Sequence, residues 1–137
     1  MLLGMGSLSG AELAGERIEV ALETQDQEDE HSCFSDNTHR DIITNALGIQ
    51  NVYLGRYGSS DGPGIYDLVA ARDQALADRL AAEIQASVDA AMAIPEPFDV
   101  AIVEHREAVE AVVDALRVQS DTIVEVAALF DITLALE

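Results

Sequence analysis

The chain has 137 residues, the size of one compact domain that can bury about two-thirds of its unfolded surface. Apolar residues make up 49% of it but aromatics only 4%, with no Trp, so Ala, Leu, Ile and Val must fill the interior, which favours closely packed helices. The net charge is −19, from 26 carboxylates against seven arginines and no lysine; such a chain repels phosphate backbones and anionic lipid, which argues against nucleic acid as a partner.

In chain order, the first predicted helix starts near Ser7 or Ser9 and runs to about Thr24. Leu8, Leu13, Ile18 and Leu22 mark its apolar stripe, and Ser9 followed by Glu12 fits a capping box. Gly4, Gly6, Gly10 and Gly15 fall within or just before it, each costing roughly 1 kcal/mol against Ala in a helix interior; that spacing points to close approach of another helix. A polar, acidic connection follows from Gln25. The second helix begins with Asp36 or Asn37 as cap and runs to about Tyr57, with Ile42, Ala46, Ile49 and Tyr53 on its apolar face. Gly58–Gly64 holds three Gly and one Pro in seven residues and reads as a loop. The third helical stretch spans about Ile65 to Ala93, with a break near Arg72 and Asp73 where Asp73 caps a fresh helix, and Pro95 and Pro97 end it. The last helix runs from Asp99 or Val100 toward the C-terminus. No segment alternates with strand period. The expected fold is all-α: residues 1–137 as a single domain, an up-and-down four-helix bundle with one long Gly-rich loop.

Chemistry concentrates at residues 28–41, EDEHSCFSDNTHRD, which pack two His, one Cys and five carboxylates into fourteen positions. Imidazole and carboxylate are donors that suit iron, zinc or manganese. Asp36 and His39 lie three apart and face the same side at a helix start. The functional reading is a metal or ligand site built from His31 and His39 with one or more of Glu28, Glu30, Asp36 and Asp41; the competing reading is that Asp36 caps the helix, His39 pairs with a neighbouring carboxylate and the acidic run is solvated. Nothing there has the specificity of HExxH or paired CxxC. Glu12 and Glu16, four apart on the first helix, form a second carboxylate pair that either helps hold a cation or stays exposed. Cys33 is a poor nucleophile candidate, since acidic neighbours disfavour thiolate; it reads instead as a small apolar side chain beside Phe34. His105 reads as structural or surface, and Tyr53, Tyr57 and Tyr66 as core packing or loop docking. The N-terminus has no basic region and too short an apolar run for a signal peptide, and no segment is long enough to span a bilayer.

The run at residues 28–41 resembles the signature of the imelysin (peptidase M75, iron-regulated protein A-like) family. So do GSLSGAELAGER at residues 6–17 and LGIQNVYLGRY at residues 47–57, in the family's order and at about its spacing. The resemblance implies an envelope protein, periplasmic or outer-membrane-associated, with two related helical halves and a part in iron acquisition. It implies iron or zinc as the metal, and as partner either the chain's own N-terminal half or an envelope iron-uptake protein. The family's proposed metal motif, GxHxxE, does not occur in this sequence, so the chain looks like the C-terminal half. The expected function is binding of a metal ion or a metal-bearing partner. The alternatives are an M75-type metallopeptidase whose GxHxxE half is absent here, or an inactive fragment; no catalytic residue is assigned. By resemblance, Arg17, Ser32, Asn37 and Thr38 lie near the cleft between halves, beside Glu12, Glu16, His31, Asp36 and His39.

Overall fold

The computed structural model describes residues 1–135. Four main helical rods form the bundle. The first is continuous from α1 (Leu2–Ser7) through a π-helical stretch (Leu8–Glu19) to α2 (Val20–Thr24), and ends where Gln25 turns left-handed at φ 54°. A short 3-10 turn (Gln27–Asp29), whose Glu28 N–H is held by Asp26 Oδ1 at 2.9 Å, leads to α3 (Thr38–Leu54). A hairpin of two-residue strands follows, β1 (Arg56–Tyr57) and β2 (Ser60–Asp61), pairing Arg56 with Asp61 and Tyr57 with Ser60. The third rod is α4 (Ile65–Ala70) and α5 (Gln74–Ala93), and the fourth is α6 (Phe98–Glu104) and α7 (Arg106–Leu129).

The direction of each rod is fixed by long-range pairs. Ser120 reaches Gly6 while Arg106 reaches Leu22, so the first rod and α7 are antiparallel. Gln50 meets Gln85 while Tyr53 meets Ala77, and Arg79 pairs with Glu125 while Arg72 reaches Leu129. The rods therefore alternate up and down, as expected. Two apolar clusters stack along the bundle. One gathers Leu13, Ile18, Ile42, Phe98, Ile102 and Leu116; the other gathers Met5, Ile49, Tyr53, Val69, Leu80 and Ile123. The first lies under the end where the acidic connection and the Pro95–Pro97 connection meet. At the opposite end the hairpin sits beside the N-terminus and the last residues of α7, around an apolar groove of about 520 Å³ lined by Leu3, Val52, Ile65, Leu68 and Phe130.

Several local expectations need correction. Helix formation begins at Leu2 rather than at Ser7 or Ser9, and Ser9 is buried inside the rod. Its hydroxyl donates to Met5 O at 2.7 Å and accepts from Gln119 Nε2 at 2.7 Å, so no capping box forms. The close-approach reading holds at Gly10, where a Cβ would meet Ser120 Oγ at 2.7 Å; Gly4 has no neighbour within 4 Å of that position. The second helix stops at Leu54 rather than near Tyr57. Gly55 adopts φ 70°, and a Cβ there would collide with the Gly62–Gly64 backbone, so the chain must leave the helix at a glycine. The predicted break at Arg72–Asp73 is present, with Asp73 Oδ1 accepting from Leu76 N at 2.9 Å. The last rod, read as one helix, is interrupted at His105 (φ −126°, ψ 36°). That bend buries Phe98, Ala101 and Ile102 in the core beneath the connections, while Arg106 donates to Leu22 O at 2.8 Å on the end of the first rod.

Candidate functional site

The chemistry-rich run becomes a tightly turned segment at one end of the bundle. Ser35 N–H donates to Ser32 O at 3.0 Å, closing a four-residue turn over Cys33 and Phe34. Asp36 follows at φ 50°, a left-handed position that Asp tolerates better than most residues. Asn37 then takes the position before α3, but its side chain makes no capping hydrogen bond. Thr38 is fully buried, and its hydroxyl accepts from Ser32 N–H at 3.1 Å, which ties the turn to the helix without capping it. The Ser32 hydroxyl donates to Asp41 Oδ2, one turn further into α3.

Two imidazoles flank this knot and point to different partners. His31 Nε2 lies 4.0 Å from Asp41 Oδ2, with both side chains part-exposed. His39, nearly buried, places Nε2 at 3.0 Å from Glu96 Oε1, on the connection before α6. Its Nδ1 is buried without a partner. That geometry makes Nε2 the donor to Glu96 and leaves Nδ1 inside the protein with no hydrogen-bond partner.

Glu30 is the most unusual group. It is 5% exposed, and neither carboxylate oxygen meets a hydrogen-bond partner. An ionised carboxylate so placed is costly, which favours the protonated form. Burial pushes the Glu30 carboxyl above the ordinary carboxylate range, and the like charges of Asp99 and Asp36 push it further up.

The side chains singled out from the sequence do not form one donor set. His31 and His39 are engaged by different carboxylates, eight residues apart across the start of a helix. Asp36 is exposed, as are Glu12 and Glu16 on the π-helical stretch, and the latter two make no ion pair with Arg17 or Arg40 among the described residues. Ser32, Asn37 and Arg17 are half-buried. Among the described residues, no three His, Cys, Asp or Glu side chains come close enough together to hold a metal ion. The described donors therefore do not by themselves make a ready site for iron or zinc. The structure does bring Ser32, Thr38 and Asp41 together, and it adds Glu96 and Asp99. These two lie more than fifty residues away in sequence, and only the return of the chain around residues 95–99 to the start of α3 reveals them. Cys33 is half-buried, and Phe34, expected to pack beside it, stands wholly in solvent. His105 is exposed at the α6–α7 bend. Tyr53 and Tyr66 stack edge to face with centroids 6.0 Å apart, as core packing predicts, while Tyr57 is exposed.

No helix among the described residues is long and apolar enough to cross a membrane. No curated protein matches the chain at a significant level. The family model described as Imelysin, Peptidase_M75, matches residues 1–123, most of the chain, and takes in the whole of the turn and α3. The chain belongs to the imelysin family.

Proposed function

We propose that this chain is the binding part of an imelysin-type protein of the bacterial envelope, periplasmic or outer-membrane-associated, that serves iron acquisition by engaging a metal-bearing partner. The observation that carries this reading is the imelysin match over residues 1–123, together with the link of that family to iron. The acidic character supports it: 26 carboxylates against seven arginines attract cations and cationic surfaces over a Debye length of about 8 Å. Because the described donors do not converge, capture of a metal-bearing partner is favoured over tight binding of a bare ion. Iron or zinc held at His31, His39 or Asp36 needs further donors, supplied by a second polypeptide such as an N-terminal half or an envelope iron-uptake protein.

Two measurements test this. Protein abundance in cells of the source organism, fractionated after growth in iron-limited and iron-replete medium, should rise on limitation and concentrate in the envelope fraction; an unchanged level in both media ends the iron reading. Titration of the purified chain with ferric, zinc and manganous ions, beside a His31→Ala/His39→Ala variant, addresses direct binding. Weak and equal uptake by both proteins is expected. Tight binding lost in the variant would replace the partner reading by a metal site in this chain.

A further inference from the structure

The turn that hides Glu30 displays Phe34. It is wholly exposed, more so than any other large apolar residue among the described residues. Burying a Phe is worth roughly 1.5–3 kcal/mol against leaving it in water, so a chain with few aromatics gains nothing in folding from placing one there. The turn is not a loose tip on which the ring happens to fall. Ser35 N–H and the Ser35 hydroxyl both donate to Ser32 O, at 3.0 and 3.3 Å, Ser32 N–H is held by Thr38 Oγ1 at 3.1 Å, and the Ser32 hydroxyl is held by Asp41. Glu30, at the base of the turn, is buried. The Glu30 carboxyl is turned inward and Ser32 is held by the start of α3, while the apolar ring faces out among the exposed His31, Ser35 and Asp36.

We propose that Phe34 is the anchor of a docking surface for a polypeptide partner that offers an apolar pocket rimmed by Lys or Arg. A preorganised aromatic spends little ordering entropy on binding, and single aromatics seated in a desolvated pocket dominate many interfaces. The charge of the partner follows from the flanks. From Asp26 to Asp41 there are six carboxylates and one arginine, Arg40, and Glu28, Asp29 and Asp36 are exposed beside the ring in sequence. A second copy of this chain, itself at −19, would bring like charge to that rim. The inference requires no metal and stands without the iron-linked reading, which its failure would leave untouched.

The test uses a displayed library of random peptides as probe, panned on the whole chain and assayed against Phe34→Ala and Phe34→Leu. The ring makes no core contact, so both variants should keep the wild-type melting temperature and far-ultraviolet dichroism. Enriched peptides should combine an apolar cluster with Lys or Arg. They should bind Phe34→Ala about tenfold more weakly or worse, keep part of their affinity for Phe34→Leu, and weaken as salt rises. Peptides that bind Phe34→Ala as tightly as wild type, or that are neutral or acidic, overturn the proposal. A dimer in sedimentation that dissolves on Phe34→Ala also overturns it, by making a second copy the occupant.

Discussion

At the scale of single residues, the oddest choice in the chain is a carboxylate in the place of a core side chain. Glu30 sits between the acidic turn and α6, and its neighbours Asp99 and Asp36 share its sign. Its carboxyl is raised in the fold above its ordinary unfolded value. The folded state therefore binds the proton more tightly, and the stabilisation is fully present below the unfolded value and lost as pH rises through the folded one. The Glu30→Gln variant, which cannot ionise, should lose less stability than wild type as pH rises from about 4 toward neutrality, and the two curves should run parallel once the folded carboxyl has titrated. Chemical denaturation across that range measures it, and curves parallel throughout would show that folding leaves the Glu30 carboxyl unshifted. Sequence reading offered Glu30 as one of four carboxylates that could join His31 and His39 as ligands, and had no reason to expect it buried without a partner. Six acids look alike along a chain; only the folded structure distinguishes the one that is buried. His39 teaches the same lesson, since its carboxylate partner proves to be Glu96, and no local spacing could indicate a partner 57 positions away.

At the scale of elements, punctuation was the legible part. The break before α5 was readable because Asp73 supplies a side-chain acceptor where four backbone N–H groups lack partners, and the structure places that acceptor at 2.9 Å from Leu76 N. Asp73→Ala should cost about 1 kcal/mol, measured as a lower denaturant midpoint with unchanged slope; an unaltered midpoint would mean the cap is dispensable. The end of α3 was misplaced because Leu54, Arg56 and Tyr57 all tolerate a helix, and the stop comes from Gly55 meeting the returning backbone of Gly62–Gly64. The first rod shows the opposite case. Its glycines look like breakers by propensity, yet the rod is continuous, with a π-helical middle that brings Gly10 against Ser120. Close packing there outweighs the roughly 1 kcal/mol that a glycine costs.

At the scale of the whole molecule, charge is the governing quantity. Ion pairs such as Arg79–Glu125, Arg117–Glu19 and Arg106–Glu110 are part-exposed, and pairs of that kind contribute at most about 1 kcal/mol each. With 26 carboxylates and seven arginines, most acids have no cation to pair with, and repulsion among them outweighs these contacts. Added sodium chloride should therefore raise the melting temperature over the range in which screening changes most, and a fall instead would show that the pairs dominate. Composition and apolar periodicity alone determined an all-α bundle of four alternating rods, because burying a helical stripe admits few other solutions for a chain so poor in aromatics and strand pattern. The sequence blocks at residues 6–17, 28–41 and 47–57 were likewise enough to indicate the imelysin family. What tertiary structure alone decided was the fate of each polar side chain at the loop end of the bundle: Glu30 buried, Phe34 exposed, and His31 and His39 drawn to separate carboxylates. Periodicity along a chain reports which face of a helix is covered, whereas the surroundings of a loop side chain are set by elements that reach it from far along the sequence.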